Sequence, residues 1–219
     1  MPRTVLSGCF LLFPLHNKLY AEVTYKLKLK PKHNLISLPI GVSHKIKDVL
    51  SKVPANSTYK QTVSWDPVKG KYIFYTGDPD FDQFDTFEFG RGYWVYLERS
   101  PEVEITITGE IPLNHIVVLK KGWNIIGCPY LQAKPVEEAL KPLKMGEDYV
   151  SVWRFAIPTP PYYEVYRAAK KEFTTLEPGK GYWIRVLKDV TWTIRNDIPP
   201  SITGLTPQDG SIHYENEEI

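Results

Sequence analysis

Residues 86–95 read T-F-E-F-G-R-G-Y-W-V, and residues 175–184 read T-L-E-P-G-K-G-Y-W-I. Both stretches contain Gly-x-Gly-Tyr-Trp followed by a β-branched residue. Glycine permits positive φ and close approach of another backbone, and Tyr and Trp are frequent in strands, so each stretch is typical of a tight turn that enters a core strand. Because the pattern recurs after about ninety residues, the sequence predicts two tandem copies of one module.

Other segments recur at the same spacing and in the same order. Residues 34–39 read N-L-I-S-L-P, and residues 124–129 read N-I-I-G-C-P. Six ordered matches at one spacing are not expected by chance, and they predict a duplication. The remaining matches are Ile46, Val49 and Leu50 with Val136, Ala139 and Leu140; Trp65 with Trp153; residues 72–75 with 163–166; and Ile111-Pro112 with Ile198-Pro199.

Each copy has the pattern of several short strands and one helix. The apolar triplet at i, i+3 and i+4 predicts one face of a short helix. Alternation of apolar and polar residues, as in residues 103–108, predicts strands. The predicted fold is therefore mainly β (α+β): two tandem homologous small β-barrel or curved-sheet domains, each with one short helix. The predicted domains are residues 22–112 and 113–200.

Composition excludes several classes of protein. The 219 residues are 42% hydrophobic and 13% aromatic, enough to fill real cores. The 27 basic and 25 acidic residues are interspersed, so nothing in the charge pattern indicates a nucleic-acid partner. The two cysteines cannot form a disulfide framework or a cysteine-based zinc site.

The N-terminus predicts export. Residues 5–15 read V-L-S-G-C-F-L-L-F-P-L after a single basic residue. An apolar run of this length is too short to span a bilayer and is typical of a secretory signal, here assigned to residues 1–21. A lipoprotein signal at Cys9 and a first strand of the fold remain alternatives. With a signal peptide and no membrane-spanning segment, we expect an extracellular or cell-surface protein.

The repeated motifs resemble a tandem module of large, mostly uncharacterised secreted and cell-surface proteins of bacteria and archaea. The resemblance rests on N-[LI]-I-x-x-P, the central Trp and G-x-G-Y-W, and covers roughly residues 27–199. No catalytic residue comes with it. Residues 199–212 resemble the opening strand of an immunoglobulin-like domain, so residues 201–219 are predicted to begin such a domain or to form a tail. Other modules of the same protein are the partners that these resemblances imply.

An acidic loop in the first copy is a candidate calcium site. Residues 77–85 read G-D-P-D-F-D-Q-F-D, and carboxylates at positions one, three and five of a loop suit Ca²⁺. The loop lacks the glycine that an EF-hand has at position six, so an ordinary solvated loop is the alternative. No other cofactor is predicted. The candidate ligands are Asp78, Asp80, Asp82 and Asp85.

The aromatic residues divide into repeated and unrepeated positions. Trp65, Trp94, Trp153 and Trp183 recur in both copies and are therefore predicted to lie in the core. Aromatic residues in or near the variable proline-rich residues 157–161 and in the last strand of the second copy are better candidates for ligand contact, since an aromatic face can stack on a sugar ring. The predicted glycan-stacking residues are Tyr162, Tyr163 and Trp192.

Nothing in the sequence indicates catalysis. No two histidines have metal-ligand spacing, and none pairs with a nucleophile motif. Cys128 corresponds to Leu38 and is predicted to be a small buried hydrophobe. We therefore expect a non-catalytic structural or interaction module of a larger surface or adhesion-type protein. The alternatives are a carbohydrate-binding accessory module and a fragment of a secreted hydrolase.

Overall fold

The computed structural model describes residues 22–54, 59–98, 101–156 and 162–196. These residues form seventeen strands and two short helices, so the mainly β prediction is confirmed. The elements of the first half are β1 (Glu22–Leu29), β2 (Lys32–Ile36), β3 (Ser43–Lys45), α1 (Ile46–Leu50), β4 (Tyr59–Asp66), β5 (Lys71–Tyr75), β6 (Thr86–Glu88), β7 (Tyr93–Leu97) and β8 (Val103–Glu110). Those of the second half are β9 (Asn114–Leu119), β10 (Gly122–Gly127), β11 (Lys134–Pro135), α2 (Val136–Ala139), β12 (Tyr149–Phe155), β13 (Tyr163–Arg167), β14 (Lys170–Lys171), β15 (Thr175–Leu176), β16 (Gly181–Val186) and β17 (Val190–Arg195).

The strand pairings of the second half follow the scheme of the first. The largest sheet of the first half has the order β2-β7-β4-β5, and that of the second half has the order β10-β16-β12-β13-β14. Two-stranded ribbons complete each half: β1–β8 and β3–β6 in the first, β9–β17 and β11–β15 in the second. Within the described residues no sheet closes on itself, so the curved-sheet alternative holds and the barrel alternative is wrong.

Each half has its own apolar core. In β8 the apolar Val103, Ile105 and Ile107 are buried while the intervening polar residues are exposed, as a period of two requires. The helices add the predicted apolar faces to the same cores, and α1 buries Ile46 and Val49. Both helices are only four or five residues long, so these apolar contacts, rather than helix propensity, stabilise them.

The two halves are joined by reciprocal backbone pairing. The Ser37 N–H donates to the Gly179 carbonyl at 3.0 Å, and the Gly127 N–H donates to the Gly90 carbonyl at 3.0 Å. Each bond runs from the end of one half's first sheet strand, β2 or β10, to the Gly-x-Gly turn of the other half. Because the two bonds are equivalent in the repeat, the halves are related by an approximate two-fold arrangement.

The second glycine of each Gly-x-Gly turn is required by this pairing. A Cβ on Gly92 would lie 2.7 Å from the Ile126 carbonyl oxygen, and a Cβ on Gly181 would lie 2.9 Å from the Ile36 carbonyl oxygen. The first glycine supplies the turn, with φ of 75° at Gly90. The predicted roles of glycine are therefore confirmed, but the backbone that approaches belongs to the other half.

Side chains also cross between the halves. Phe89, from the first Gly-x-Gly turn, is buried in the core of the second half against residues that include Val117. In the opposite direction, Leu131 packs against the core of the first half. The predicted boundary between residues 112 and 113 therefore separates two copies of the same strand pattern. Each of the two cores, however, includes a side chain from the other half.

Candidate ligand-binding cleft

Tryptophans lie on the outer faces of the two large sheets. In β16 the side chains of Tyr182 and Ile184 are buried in the core, and Trp183 between them faces away from it. Trp153 of β12 lies directly opposite Trp183 and shares its face. The outer face of the second half thus carries large aromatic rings where a solvent-facing sheet surface usually carries polar residues.

The two outer faces meet around an open cleft of about 350 Å³. The first half contributes two of its rings, and the second half contributes four. Three of the rings are substantially exposed, with relative accessibilities of 46% for Tyr72 and 37% for both Trp123 and Tyr163. A cleft of this kind, open and aromatic, is where ligands are commonly bound. Its lining residues are Trp65, Tyr72, Trp123, Trp153, Tyr163 and Trp183.

Hydrogen bonds within the cleft fix the indole rings. Trp65 Nε1 donates to the Trp123 carbonyl at 2.8 Å. Trp153 Nε1 donates to Ser151 Oγ at 3.0 Å. These bonds hold the rings in place before any ligand arrives, so the cleft is preformed.

The register of the strands corrects one predicted match. Trp65 lies opposite Tyr72 in the first half. In the second half the residue opposite Tyr163 is Phe155, so Phe155 and not Trp153 occupies the position of Trp65. The match of Trp65 with Trp153 is therefore wrong by two residues. Because side chains alternate along a strand with a period of two, such a shift keeps the side chain on the same face of the sheet and does not disturb the apolar pattern of the sequence.

The position of Trp153 makes the cleft one-sided. In the first half the residue opposite Trp94 is Val63, whereas Trp153 lies opposite Trp183 in the second. At the equivalent position of the first half, Val63 therefore stands where the cleft has the indole ring of Trp153. The aromatic set is concentrated on one of two otherwise equivalent surfaces.

A second cleft, of about 380 Å³ and lined largely by charged and polar residues that include His33 and Arg154, lies elsewhere on the molecule. Arg154 makes ion pairs with both Glu164 and Glu177, the latter through Nη1 at 2.8 Å. Lys180 also pairs with Glu177. Both carboxylates thus neutralise cations of the protein, an arrangement opposite to the apolar or like-charged surroundings that prepare a carboxyl group for acid catalysis.

The three predicted glycan-stacking residues have different outcomes. Tyr163 lines the aromatic cleft, and Tyr162 is 52% exposed beside it on the chain without being a lining residue. Trp192 is fully buried, and its Nε1 donates to the Ala139 carbonyl at 3.0 Å inside the second core. The prediction for Trp192 is wrong, because a ring with no accessible face cannot stack on a ligand.

The prediction that the repeated tryptophans lie in the core is also wrong. Trp65, Trp94, Trp153 and Trp183 are all only partly buried on the outer faces. The sequence did hold the necessary signal, since Trp183 alternates with Tyr182 and Ile184 and the two sets must face opposite sides of the sheet. Recurrence was a misleading criterion, because a repeat conserves outer as well as inner positions.

In the acidic loop, Asp82 forms hydrogen bonds that define the turn. Asp82 Oδ1 accepts hydrogen bonds from Thr76 N at 2.6 Å, from Thr76 Oγ1 at 3.1 Å and from Gly77 N at 3.2 Å. This carboxylate is the acceptor that closes the loop, as short acidic side chains commonly are in turns.

The other three aspartates do not converge with it. Asp78 Oδ1 accepts a hydrogen bond from Asp80 N at 3.1 Å, and Asp85 makes an ion pair with Lys45. Across the described residues no group of three or more His, Cys, Asp or Glu side chains is placed to hold a metal ion. The prediction of calcium ligation by Asp78, Asp80, Asp82 and Asp85 is therefore not supported, because Asp78, Asp82 and Asp85 accept from different local partners and the four carboxylates form no common group.

Cys128 is a buried hydrophobe, as predicted. It lies in the second core, and burial raises the pKa of its thiol to about 12. Since the thiolate is the reactive form, this cysteine has no nucleophilic character at neutral pH.

Comparison of the chain with protein-family models, curated proteins and solved structures gave no significant match. In the part of the chain that the structure describes, no helix is long and apolar enough to cross a membrane. The predicted signal peptide (residues 1–21), the proline-rich residues 157–161 and the predicted start of an immunoglobulin-like domain (residues 201–219) lie outside the described residues.

Proposed function

We propose that this chain is a non-catalytic binding module that holds its ligand in the aromatic cleft between its two halves. The observation that carries the proposal is the gathering of six aromatic rings, from both halves, around one open cleft outside either core. Exposed aromatic surface is unfavourable unless something covers it, and such patches mark binding sites in folded proteins.

The proposal includes an extracellular or cell-surface location and membership of a larger protein. The apolar residues 5–15, the resemblance of the repeated motifs to modules of surface proteins, and the immunoglobulin-like start at residues 199–212 support it. The repeated strand pairings support an origin by tandem duplication. In this account the ligand is a component of the cell surface or its surroundings, and neighbouring modules present the cleft to it.

The absence of catalysis is part of the proposal. The carboxylates of Glu164 and Glu177 are both engaged by Arg154, and the Cys128 thiol is buried. Neither arrangement offers a poised general acid or a nucleophile. A hydrolase would need such groups beside its substrate, and the lining of the aromatic cleft has none of them.

A carbohydrate-binding accessory module is the second candidate. It is favoured by the partial exposure of Trp123 and Tyr163, whose rings can cover the C–H face of a sugar. Under this hypothesis Tyr163 keeps its predicted role in stacking on a glycan, and the tryptophans of the cleft take the role that was predicted for Trp192.

The proposal is tested by screening the full chain against a glycan array and a panel of small organic cations, with tryptophan fluorescence as the readout in solution. We expect a ligand whose binding is lost in Trp123→His and Trp153→Val. These substitutions introduce side chains that the fold already accommodates, since His33 and Val63 hold the same positions in the first half. The control is His33→Gln, which alters the equivalent position outside the cleft.

Two results would contradict the proposal. Binding that survives both Trp123→His and Trp153→Val would place the site elsewhere on the molecule. Turnover of chromogenic glycosides or esters by the purified chain, abolished by Glu164→Gln or Glu177→Gln, would establish a hydrolase instead.

A further inference from the structure

The contacting rings of the aromatic cleft are steeply inclined to one another, at interplanar angles of 68° to 87°. Trp65, Tyr72 and Trp183 make interplanar angles of 77°, 71° and 82° with each other. Trp123 stands at 87° to Trp183, with the two ring centroids 6.1 Å apart. A pyranose ring is best covered by one broad flat aromatic surface, whereas these rings surround a space from several directions.

The distances between the ring centroids suit a compact cation. Two perpendicular rings that each face a common cation from about 4.5 Å have centroids about 6.4 Å apart, and a ring attracts a cation within roughly 6 Å of its centroid. The centroid separations are 6.3 Å for Tyr72 and Trp183, 6.1 Å for Trp123 and Trp183, and 6.3 Å for Trp123 and Trp153. These separations also occur in edge-to-face packing, and they are compatible with two ring faces that meet one cation.

The cleft offers few hydrogen-bonding groups to a ligand. The indole N–H groups of Trp65 and Trp153 already donate to Trp123 and Ser151. None of the six lining residues carries a carboxylate or an amide side chain. A sugar bound here would therefore find few protein groups to accept or donate hydrogen bonds to its hydroxyls.

From this geometry we propose that the cleft binds a quaternary ammonium group, such as the trimethylammonium group of choline. Such a group is cationic and has no N–H to satisfy, so ring faces are sufficient for its recognition. The volume of about 350 Å³ lies at the small end of ligand-binding cavities, and it leaves room for the atoms attached to the cation. The inference rests on the proposed function, because it names the ligand class of the same cleft.

One ring of the cleft already contacts a cationic side chain of the protein. The Arg185 guanidinium carbon lies 5.9 Å from the centroid of the Trp123 ring. A ring of the cleft therefore already interacts with a cation of the chain. Because this guanidinium also repels a bound cation, Arg185→Gln is expected to tighten quaternary ammonium binding about twofold or more.

The experiment is a titration of the full chain with choline chloride, followed by tryptophan fluorescence at constant ionic strength. The neutral isostere 3,3-dimethyl-1-butanol, which replaces the nitrogen by carbon, is titrated in parallel. We expect choline to bind at least tenfold more tightly than the isostere. Trp123→His and Trp153→Val are each expected to weaken choline at least tenfold, and His33→Gln is expected to leave its affinity within twofold.

A second arm distinguishes the sources of this group. Co-sedimentation with phosphatidylcholine vesicles, compared with vesicles of phosphatidylglycerol, shows whether a lipid headgroup can enter the cleft. Binding of free choline without sedimentation assigns a soluble or polymer-borne ligand, and sedimentation lost in Trp123→His assigns the headgroup. Either result supports the inference.

Three outcomes would overturn it. Equal affinity for choline and the isostere would show an apolar site without selectivity for charge. Binding of a glycan that is lost in Trp123→His, with no binding of choline, would leave the proposed function intact with the carbohydrate as its ligand. Failure of choline and of every other panel compound to bind through the cleft tryptophans would overturn this inference and the proposed function together.

Discussion

Trp65 of the first half and Trp183 of the second meet edge to face, with ring centroids 5.5 Å apart. The pair at the equivalent positions, Phe155 and Trp94, meets in the same way at 4.7 Å. Both contacts cross the boundary between the halves. The aromatic cleft is therefore a property of the joined pair, and neither copy of the repeat could form it alone.

The first prediction concerns the glycine contact that joins the halves. Gly92 has no positive φ, so replacing it by alanine would ordinarily be neutral or slightly stabilising. Here the new Cβ would lie 2.7 Å from the Ile126 carbonyl oxygen, and we expect Gly92→Ala to lower the free energy of unfolding by about 1–3 kcal/mol. Urea denaturation measures the effect.

The control for this prediction is Gly70→Ala in an open turn. Gly70 has φ of 62° and no atom within 4 Å of a built Cβ. Alanine at this position should lower the free energy of unfolding by only about 1 kcal/mol, the cost of holding a non-glycine residue in the left-handed conformation. If Gly92→Ala were as stable as the wild type, the close pairing of the halves would be wrong.

The second prediction separates core from cleft tryptophans. Trp192 is fully buried and Trp123 is 37% exposed. We expect Trp192→Ala to cost about 3–5 kcal/mol of stability, as large core truncations do. Trp123→Ala should cost only about 1 kcal/mol, since it removes partly exposed ring contacts. Equal losses in urea denaturation of the two variants would contradict this division.

The third prediction concerns Asp82. Because its Oδ1 closes the acidic loop, Asp82→Ala should lower the Tm by a few degrees, whereas Asp82→Asn keeps an acceptor oxygen and should lower it less. The Tm of the wild type should be the same in calcium and in chelator. A rise in Tm on addition of calcium, lost in Asp80→Ala, would restore the calcium site.

The fourth prediction is a loss of stability at alkaline pH. Burial raises the pKa of Tyr25, Tyr59 and Tyr149 to about 12 from an ordinary value of 10.0, and that of Cys128 to about 12 from 9.0. The unfolded chain therefore releases protons that the folded chain retains. Stability from these groups is fully present below pH 9 and falls as the pH rises towards 12.

Urea denaturation at pH 8 and pH 11 tests this dependence. The midpoint should fall at pH 11, and Tyr149→Phe should reduce the fall because it removes one of the buried acidic groups. A midpoint that is unchanged at pH 11, or a fall that Tyr149→Phe leaves unaltered, would contradict the assigned burial.

Much of the fold could be predicted from residue patterns alone. The alternation in residues 103–108 and the spacing of Ile46, Val49 and Leu50 determine local structure, and both predictions agree with the structure. The recurrence of Gly-x-Gly-Tyr-Trp also indicated where close backbone approach was needed. Local patterns were sufficient because each follows from the period of a strand or a helix.

The candidate site was largely missed because it depends on contacts between the halves. Nothing local to Trp65 shows that it meets Trp183, which is far away in sequence and belongs to the other copy. The position of Trp153 was also obscured by a two-residue difference in register. Of the predicted ligand-contact residues, only Tyr163 lines the cleft, and Trp192, chosen by the same criterion, lies in the core of the second half.

The most direct test of the account is the indole N–H spectrum of the ¹⁵N-labelled chain during titration with choline chloride and, separately, with glycans that bind on the array. The chain has six tryptophans, so each one reports on its own position. We predict that a ligand shifts the signals of Trp65, Trp123, Trp153 and Trp183, while the signal of the buried Trp192 stays unchanged. A ligand that binds without moving any of these four signals would contradict the assignment of the cleft as the functional site.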